Sequence, residues 1–553
     1  MGINRILFLG GIRGVPSAIG RKWKQHSQNA SLQRGVVMTF ELTRRRALTL
    51  FGAGLGGAFL NMGTAIRVLA QDKDSITIAW PSDVPSWDPC QRVQPDAQPV
   101  YKMLFEQPVM QDVDLSFVPG LLTEWSLADD GLSFAFKVRQ GVTFHDGSKL
   151  TAQDIRFNWY ERVRESLNGG NKIDTANIWK NITDITLDDD YSGVFHFSSP
   201  MPTAVQWLAF MANFVVPKDY ITKVGIEAFR DKPIGTGPYR LVEYQINSRM
   251  VFERNEDYWG ERPAMRRVIV NVVKDPSARA AALQSGQADL TINVPVREAK
   301  RLGAVPGLAA EINPVTRIVL IQIRHDNAVA DQNLRLALHH AIDKTALSRA
   351  FFAGAAVPLA VPVTPGTPGY VSDFTFSYDQ ALARELLEKS GYGPGKPAKV
   401  KFATTNGHFP SDYDIARALV AMWQKVGIEA ELEVIEYAKY FELNRGGRLP
   451  DLTLYAWDNA TGDPEIFTGY MLNPDLPFSV WHAEEPGQTI RDLFNTANYE
   501  SRIEGYRAVN RKAVEMGASI PLLQSVQTLV RKADLDYKKF QNGWVLGQTL
   551  RWK

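Results

Sequence analysis

Cysteine is almost missing from this 553-residue chain; Cys90 stands alone, so no disulfide can close within it. Catalytic signatures are missing too: the chain has no G-x-S-x-G elbow, S-x-x-K, H-E-x-x-H, C-x-x-C or P-loop. Their absence weighs against an enzyme and leaves a secreted hydrolase as a distant alternative. His339 and His340 are adjacent, so on a helix they project about 100° apart and form no i, i+4 metal pair; they are read as packing or surface residues. His145, in Phe144-His145-Asp146-Gly147, is read as a bonded turn histidine. No metal, cofactor or catalytic residue is assigned. Repeats, low-complexity tracts and long Pro/Ser linkers are also lacking.

Excess positive charge is absent where it would matter. Residues 1–70 carry ten of the 62 Lys/Arg and one (Glu41) of the 60 Asp/Glu, leaving 52 basic against 59 acidic and a net −7 in 71–553. Nucleic-acid binding needs clustered cations against phosphate, so it is set aside.

The basic start has a definite form. Thr43-Arg44-Arg45-Arg46 precedes an uncharged, Gly-rich run over 47–60, and Val68 and Ala70 supply a small-x-small site. This order describes a signal peptide cleaved after Ala70 and export to a periplasm. The run is about 14 residues, short of the roughly 20 that cross a bilayer. The arginines resemble a twin-arginine signal, departing from it at Ala47 and Thr49. Export signals begin with a short leader, so translation is expected to start at Met38. Gly52-Ala53-Gly54-Leu55-Gly56-Gly57 fits G-x-G-x-x-G but lies in the removed segment, outside any βαβ unit. Cys90 lies past the cleavage site without lipid-attachment context, so the mature protein is expected to be untethered.

Strand and helix signals alternate through the rest, which predicts an α/β protein. Residues 399–404 alternate with Val400 and Phe402 on one face. A helix carries Ala416, Leu419, Val420 and Trp423 at i, i+3, i+4, i+7, with Gly427 past its end. Residues 429–436 alternate Ala430, Leu432 and Val434 against glutamates; a short helix near 439–444 and a strand at 451–457 follow. The pattern is that of a parallel sheet. Thr151 to Asp154 reads as a capping box opening a helix through Ile155, Trp159 and Val163. Leu334, Leu338, Ala341 and Ile342 form a buried stripe.

Open α/β sheets bind ligands beyond the carboxyl ends of their strands. The 451–457 strand ends in Trp457-Asp458-Asn459, a ring and two hydrogen-bonding side chains, ahead of a loop reaching Asp463-Pro464. Trp457, Asp458, Asn459 and Asp463 are the candidate ligand-binding residues; a plain strand exit with a buried Trp is the alternative.

Several blocks occur in a familiar order: Val118-Pro119-Gly120-Leu121 with Glu124-Trp125, the 130–147 block ending in Phe144-His145-Asp146-Gly147, and Leu150 to Asp154. Gly235-Thr236-Gly237-Pro238-Tyr239, the 254–260 block, 281–286 with Asp289, and Arg335 with Ala341-Ile342-Asp343-Lys344 follow, and then Tyr378-Asp379 and Ser390-Gly391-Tyr392. Together, over nearly all of 74–545, they resemble the family 5 (cluster C) extracellular solute-binding proteins of peptide- and nickel-type ABC transporters. The resemblance implies a periplasmic binding protein type II-like fold, two hinged α/β lobes with an extra inserted domain. Lobe I would be 71–112, 232–326 and 525–553, the extra domain 113–231, and lobe II 327–524. It implies a monomeric receptor that closes on a small-molecule solute and delivers it to an inner-membrane ABC permease with cytoplasmic ATPases; a receptor feeding a sensor is the alternative. Peptide-binding members carry an aspartate for the peptide amine three residues before an acidic-Pro pair, and this chain has Ala460 there. Peptide-like, opine-like and oligosaccharide solutes are therefore expected ahead of ordinary oligopeptides.

Overall fold

The structure, a computed structural model, describes residues 74–476, 479, 481 and 484–553. The signal peptide, its cleavage point, Met38 and the glycine motif lie outside the described residues.

The alternation at 399–404 is the strand Ala398–Thr404, with Val400 and Phe402 buried. The helix Asp412–Gln424 then buries Ile415, Ala416, Leu419 and Trp423. Trp423 packs on Phe402 at 5.0 Å and donates its indole N–H to the Leu338 carbonyl at 2.9 Å. The chain reverses at Gly427 with φ +97°, a conformation glycine tolerates without a Cβ clash. Strands Ile428–Val434 and Leu452–Trp457 both run parallel to Ala398–Thr404. Val434, expected inward, is 52% exposed because its strand is the outer edge of the sheet, with a neighbour on one side only.

Among the described residues these strands belong to an eleven-stranded mixed sheet. At one end lie Ile428–Val434, Ala398–Thr404 and Leu452–Trp457; at the other lie Leu290–Ile292, Ser75–Trp80, Arg267–Val272, Arg249–Arg254 and Tyr239–Gln245. Two long strands, Leu308–Ile323 and Ser519–Lys532, sit between them and pair antiparallel from Leu308–Lys532 to Gln322–Ser519, with a register shift between Pro314 and Ile318. Leu290–Ile292 pairs with Leu529–Arg531 at one end of this ribbon, and Leu452–Trp457 pairs with Ile318–Ile323 at the other. The apolar interior follows the same division. One cluster gathers Ile78, Leu104, Val270 and Leu529; another gathers Val319, Phe402, Leu454 and Ile520.

A separate antiparallel sheet of Leu122–Leu127, Ser133–Val138, Ser192–Phe197 and Ile182–Asp189 buries Phe134, Phe136 and Phe195 by strand alternation. Each of these Phe side chains stabilises by roughly 1.5–3 kcal/mol when fully buried, and Trp179 and Trp159 extend the layer. The Thr151–Asp154 capping box is present and starts the helix Ala152–Arg156.

The block residues are structural. His145 accepts from Gly235 N–H at Nδ1 (3.2 Å), and its Nε2 meets the Gly237 carbonyl at 3.0 Å, so the turn is tied to the 235–239 block. Gly235 has no room for a side chain, since a Cβ there would lie 2.1 Å from the Leu104 carbonyl oxygen. Arg335 donates to the carbonyls of Val329, Ala330 and Met516, and His339 stacks on Phe376 at 3.6 Å. Cys90 is buried, its thiol pushed up to about 11 chiefly by burial. No described helix is long and apolar enough to cross a membrane.

Candidate functional site

The helix Tyr437–Arg445 shows how local sequence makes a wall. Tyr437, Tyr440, Phe441 and Asn444 recur at i, i+3, i+4, i+7 and share one face, while Lys439 and Glu442 pair with each other in solvent. That face lines a cavity of about 130 Å³, measured as room for the centres of water-sized molecules. Tyr440 stacks on Tyr455 of the Leu452–Trp457 strand at 4.1 Å and 11°, and its hydroxyl donates to Gln322 at 2.8 Å. His408 lies against Tyr437 at 4.1 Å and Tyr455 at 5.2 Å. Burial, with Arg317 nearby, pushes its imidazole down to about 3, so the ring is neutral at ordinary pH.

Trp457 and Asp458 line the same cavity. Trp457 pairs with Ile318 across the sheet, which brings the preceding Arg317 to Asp458: Nη2 donates at 2.8 Å and Nε at 3.3 Å. Arg317 also faces Asp96 at 3.9 Å. Burial opposes the guanidinium charge, but these two carboxylates outweigh it and hold Arg317 above its ordinary value.

The opposite wall comes from earlier in the chain. Trp207, on the helix Ala204–Leu208, lies 5.3 Å from Tyr470 and 4.9 Å from Phe210. Asp174 accepts from Val93 N–H at 2.9 Å, Lys172 at 2.8 Å and Arg445 at 3.1 Å. Arg92 sits over the Phe441 ring at 5.4 Å.

Asn459 and Asp463 are not among the cavity-lining residues. Both are buried: Asp463 is held by Arg502, and Asn459 Oδ1 has no hydrogen-bond partner. Two residues beyond Asp463, Glu465 accepts from Thr203 Oγ1 at 2.7 Å and Trp207 Nε1 at 3.0 Å. These bonds fix the indole that forms one wall. Ala460 is buried at 1% exposure and brings no charge. Sequence reasoning missed Arg317, Trp207 and Asp174, which lie far away in the chain. It also missed the aromatic stripe of Tyr437–Arg445, which was legible in its spacing.

The cavity is thus walled largely by aromatic residues, some preceding the strand Leu308–Ile323 in the chain and some following it. The model of bacterial extracellular solute-binding proteins, family 5 Middle, matches residues 116–475. The chain belongs to this family. It is 26% identical over 499 residues to the nickel-binding periplasmic protein of Escherichia coli K12, covering 85% of this chain and 92% of that one. It is 24% identical over 416 residues to the dipeptide-binding protein of the same organism, covering 70% and 77%. Among solved structures, the dipeptide-binding protein of Pseudoalteromonas sp. SM9913 in complex with Met-Leu matches with a TM-score of 0.78 at 20% identity, covering 87% of this chain and all of that one. NikZ of Campylobacter jejuni in complex with Ni(L-His) matches at 0.76 and 20%, covering 87% and 99%. The fold is that of type II periplasmic binding proteins. Family 5 receptors are non-enzymatic transport components, which removes the hydrolase alternative.

Proposed function

We propose that this family 5 protein is the periplasmic, monomeric receptor of an ABC importer, closing two lobes on a small solute and delivering it to the inner-membrane permease and its ATPases. Lobe I is 71–112, 232–326 and 525–553, with 113–231 inserted; lobe II is 327–524; the two long strands are the hinge. One observation carries the reading. Trp207 and Asp174 precede the first long strand, Tyr437, Arg445 and Trp457 follow it, and all face one cavity. The Asp174–Arg445 ion pair at the cavity, and the Glu465 bonds to Thr203 and Trp207 behind its wall, join these two groups of residues. Parting the lobes breaks these contacts, so a solute seated on Trp457 and Asp458 favours the closed form by its differential affinity for it. Asp463 and Asn459 act behind the wall rather than on the solute. Peptide-like, opine-like and oligosaccharide solutes suit aromatic walls with few polar groups.

Solution scattering tests this on protein carrying the solute retained from the periplasm and on the same protein after refolding without it. A smaller radius of gyration with solute is expected; identical curves would remove the hinged-receptor reading. Export through a twin-arginine signal from a start at Met38, with cleavage after Ala70, is part of the same proposal. N-terminal sequencing of the secreted protein checks it, with Gln71 expected first.

A further inference from the structure

The loop after Trp457-Asp458 packs into the other half of the molecule. Ala460 and Ile466 are buried in the apolar cluster of Ile78, Leu104 and Val270, and among the described residues no other buried apolar residue of 327–524 belongs to it. Glu465 lies between them in sequence and is 2% exposed. The Arg502 guanidinium is bonded to Asp463, and it stands 3.6 Å from Glu465 Oε2, which has no hydrogen-bond partner. Both hydrogen bonds to the Glu465 side chain come instead from across the molecule, where Thr203 Oγ1 and Trp207 Nε1 donate to Oε1. Gln206 Nε2 adds a longer bond to Asp463 Oδ2 at 3.4 Å. Thr203, Gln206 and Trp207 stand at i, i+3 and i+4, so the short helix Ala204–Leu208 turns three donors to one face. Thr203 occupies the position that caps this helix, yet its hydroxyl makes no cap bond. A capping threonine gives its oxygen to a backbone N–H of the first turn; this one points its hydroxyl at Glu465.

All three donors precede the strand Leu308–Ile323, and both carboxyl groups and Arg502 follow it. Parting the lobes leaves Glu465 with no protein donor, and leaves Thr203 and Trp207 with no acceptor. Closing restores the set together, and a buried polar group left without its partner is costly. Oε1 can accept both bonds whether or not Oε2 carries a proton. The indole has two uses here. Its N–H is held by Glu465, and its ring forms the cavity wall 5.3 Å from Tyr470. Neither Thr203 nor Glu465 lines the cavity. We infer that Thr203, Gln206 and Trp207 are the donor side of a latch between the lobes and that Glu465 is its catch, a positioning residue that touches no solute. It fixes the Trp207 ring in the wall and sets how readily the lobes close. This rests on the receptor reading above. It adds that part of the closing energy is built into the protein and is independent of what is bound.

Chemical trapping tests the latch on the full mature chain, freed of solute by refolding. Asp174→Cys with Arg445→Cys sets one thiol on each side of the cleft in place of their ion pair, and a short bismaleimide joins them when the lobes are closed. Cys90 stays out of the reaction, being buried with its thiol raised to about 11. The trapping rate then follows the closed population with no solute present. In this background Thr203→Val removes the hydroxyl at nearly constant shape and takes no cap bond from the helix. It should slow trapping at least about fivefold, and Thr203→Ser should restore the rate to within about twofold. Trp207→Phe, which keeps a ring and loses the N–H, should slow trapping as well. Full-speed trapping in Thr203→Val or Trp207→Phe, with a radius of gyration that falls on cross-linking, overturns the latch and leaves the receptor standing. Slow trapping in Thr203→Ser overturns it too, because the hydroxyl would not be the cause. A radius of gyration that cross-linking leaves unchanged would mean that the lobes never part, and would remove the receptor reading instead.

Discussion

Arg502 grips Asp463 through both terminal nitrogens, at 2.9 and 2.6 Å, with side-chain exposures of 1% and 4%. The pair lies behind the cavity, one step from Glu465, whose second oxygen is 3.6 Å from Arg502. Asp463 thus has a partner inside the protein.

Removing one side of such a pair strands a buried charge. Arg502→Met and Asp463→Asn should each lower unfolding free energy by about 3–5 kcal/mol, measured by urea denaturation without solute. The double variant should lose less than the sum of the two. Additive losses would mean that the two groups are not coupled.

Glu465 supplies a pH signature. Burial pushes its carboxyl up to about 7, with Arg502 opposing and Asp463 reinforcing the shift. The groups that face it are Asp463, Arg502, Thr203, Trp207, Tyr470 and Tyr506. A carboxyl raised on folding binds its proton more tightly folded than unfolded. Its contribution to stability is therefore complete below the unfolded value near 4.5 and is lost as pH rises through about 7. Wild type minus Glu465→Gln, followed by melting temperature from pH 4.5 to 8, should show that decline; a flat difference would remove the assignment.

Trp457 tests the cavity directly. Trp457→Ala deletes the ring at the end of its strand and should weaken binding of the periplasmically retained solute at least tenfold by calorimetry, leaving the unliganded fold intact. Unchanged affinity would place the solute elsewhere.

Gly235→Ala tests the block that ties His145 to the first core. Its new methyl meets the Leu104 carbonyl oxygen at 2.1 Å, which is backbone and cannot swing away. A loss of at least about 1–3 kcal/mol is expected in denaturant unfolding, with solute affinity per folded molecule unchanged.

Much of the fold was legible because its signals are local. The strand–helix–strand run from Ala398 to Trp457, the Thr151 cap and the Leu334 stripe each follow from residues a few positions apart. Val434 was misplaced because alternation reports a face but not whether anything covers it. The site was half legible. Trp457 and Asp458 end a strand, where α/β sheets put ligands, but their partners converge from elsewhere. Arg317 stands 141 positions before Asp458, and Thr203 262 before Glu465. Asp463 and Asn459 carry the same chemistry as surface ligands, and only packing shows them turned inward.

The strand Ser519–Lys532 comes last in the large sheet by chain order and lies near its middle. A ribosome therefore delivers the ten other strands before the one that joins them. Until it arrives, Leu290–Ile292 and Leu308–Ile323 each present a raw edge, and neither half is finished. Synthesis order thus holds the polypeptide short of its native form until late, and a single break within that strand would unmake both halves together.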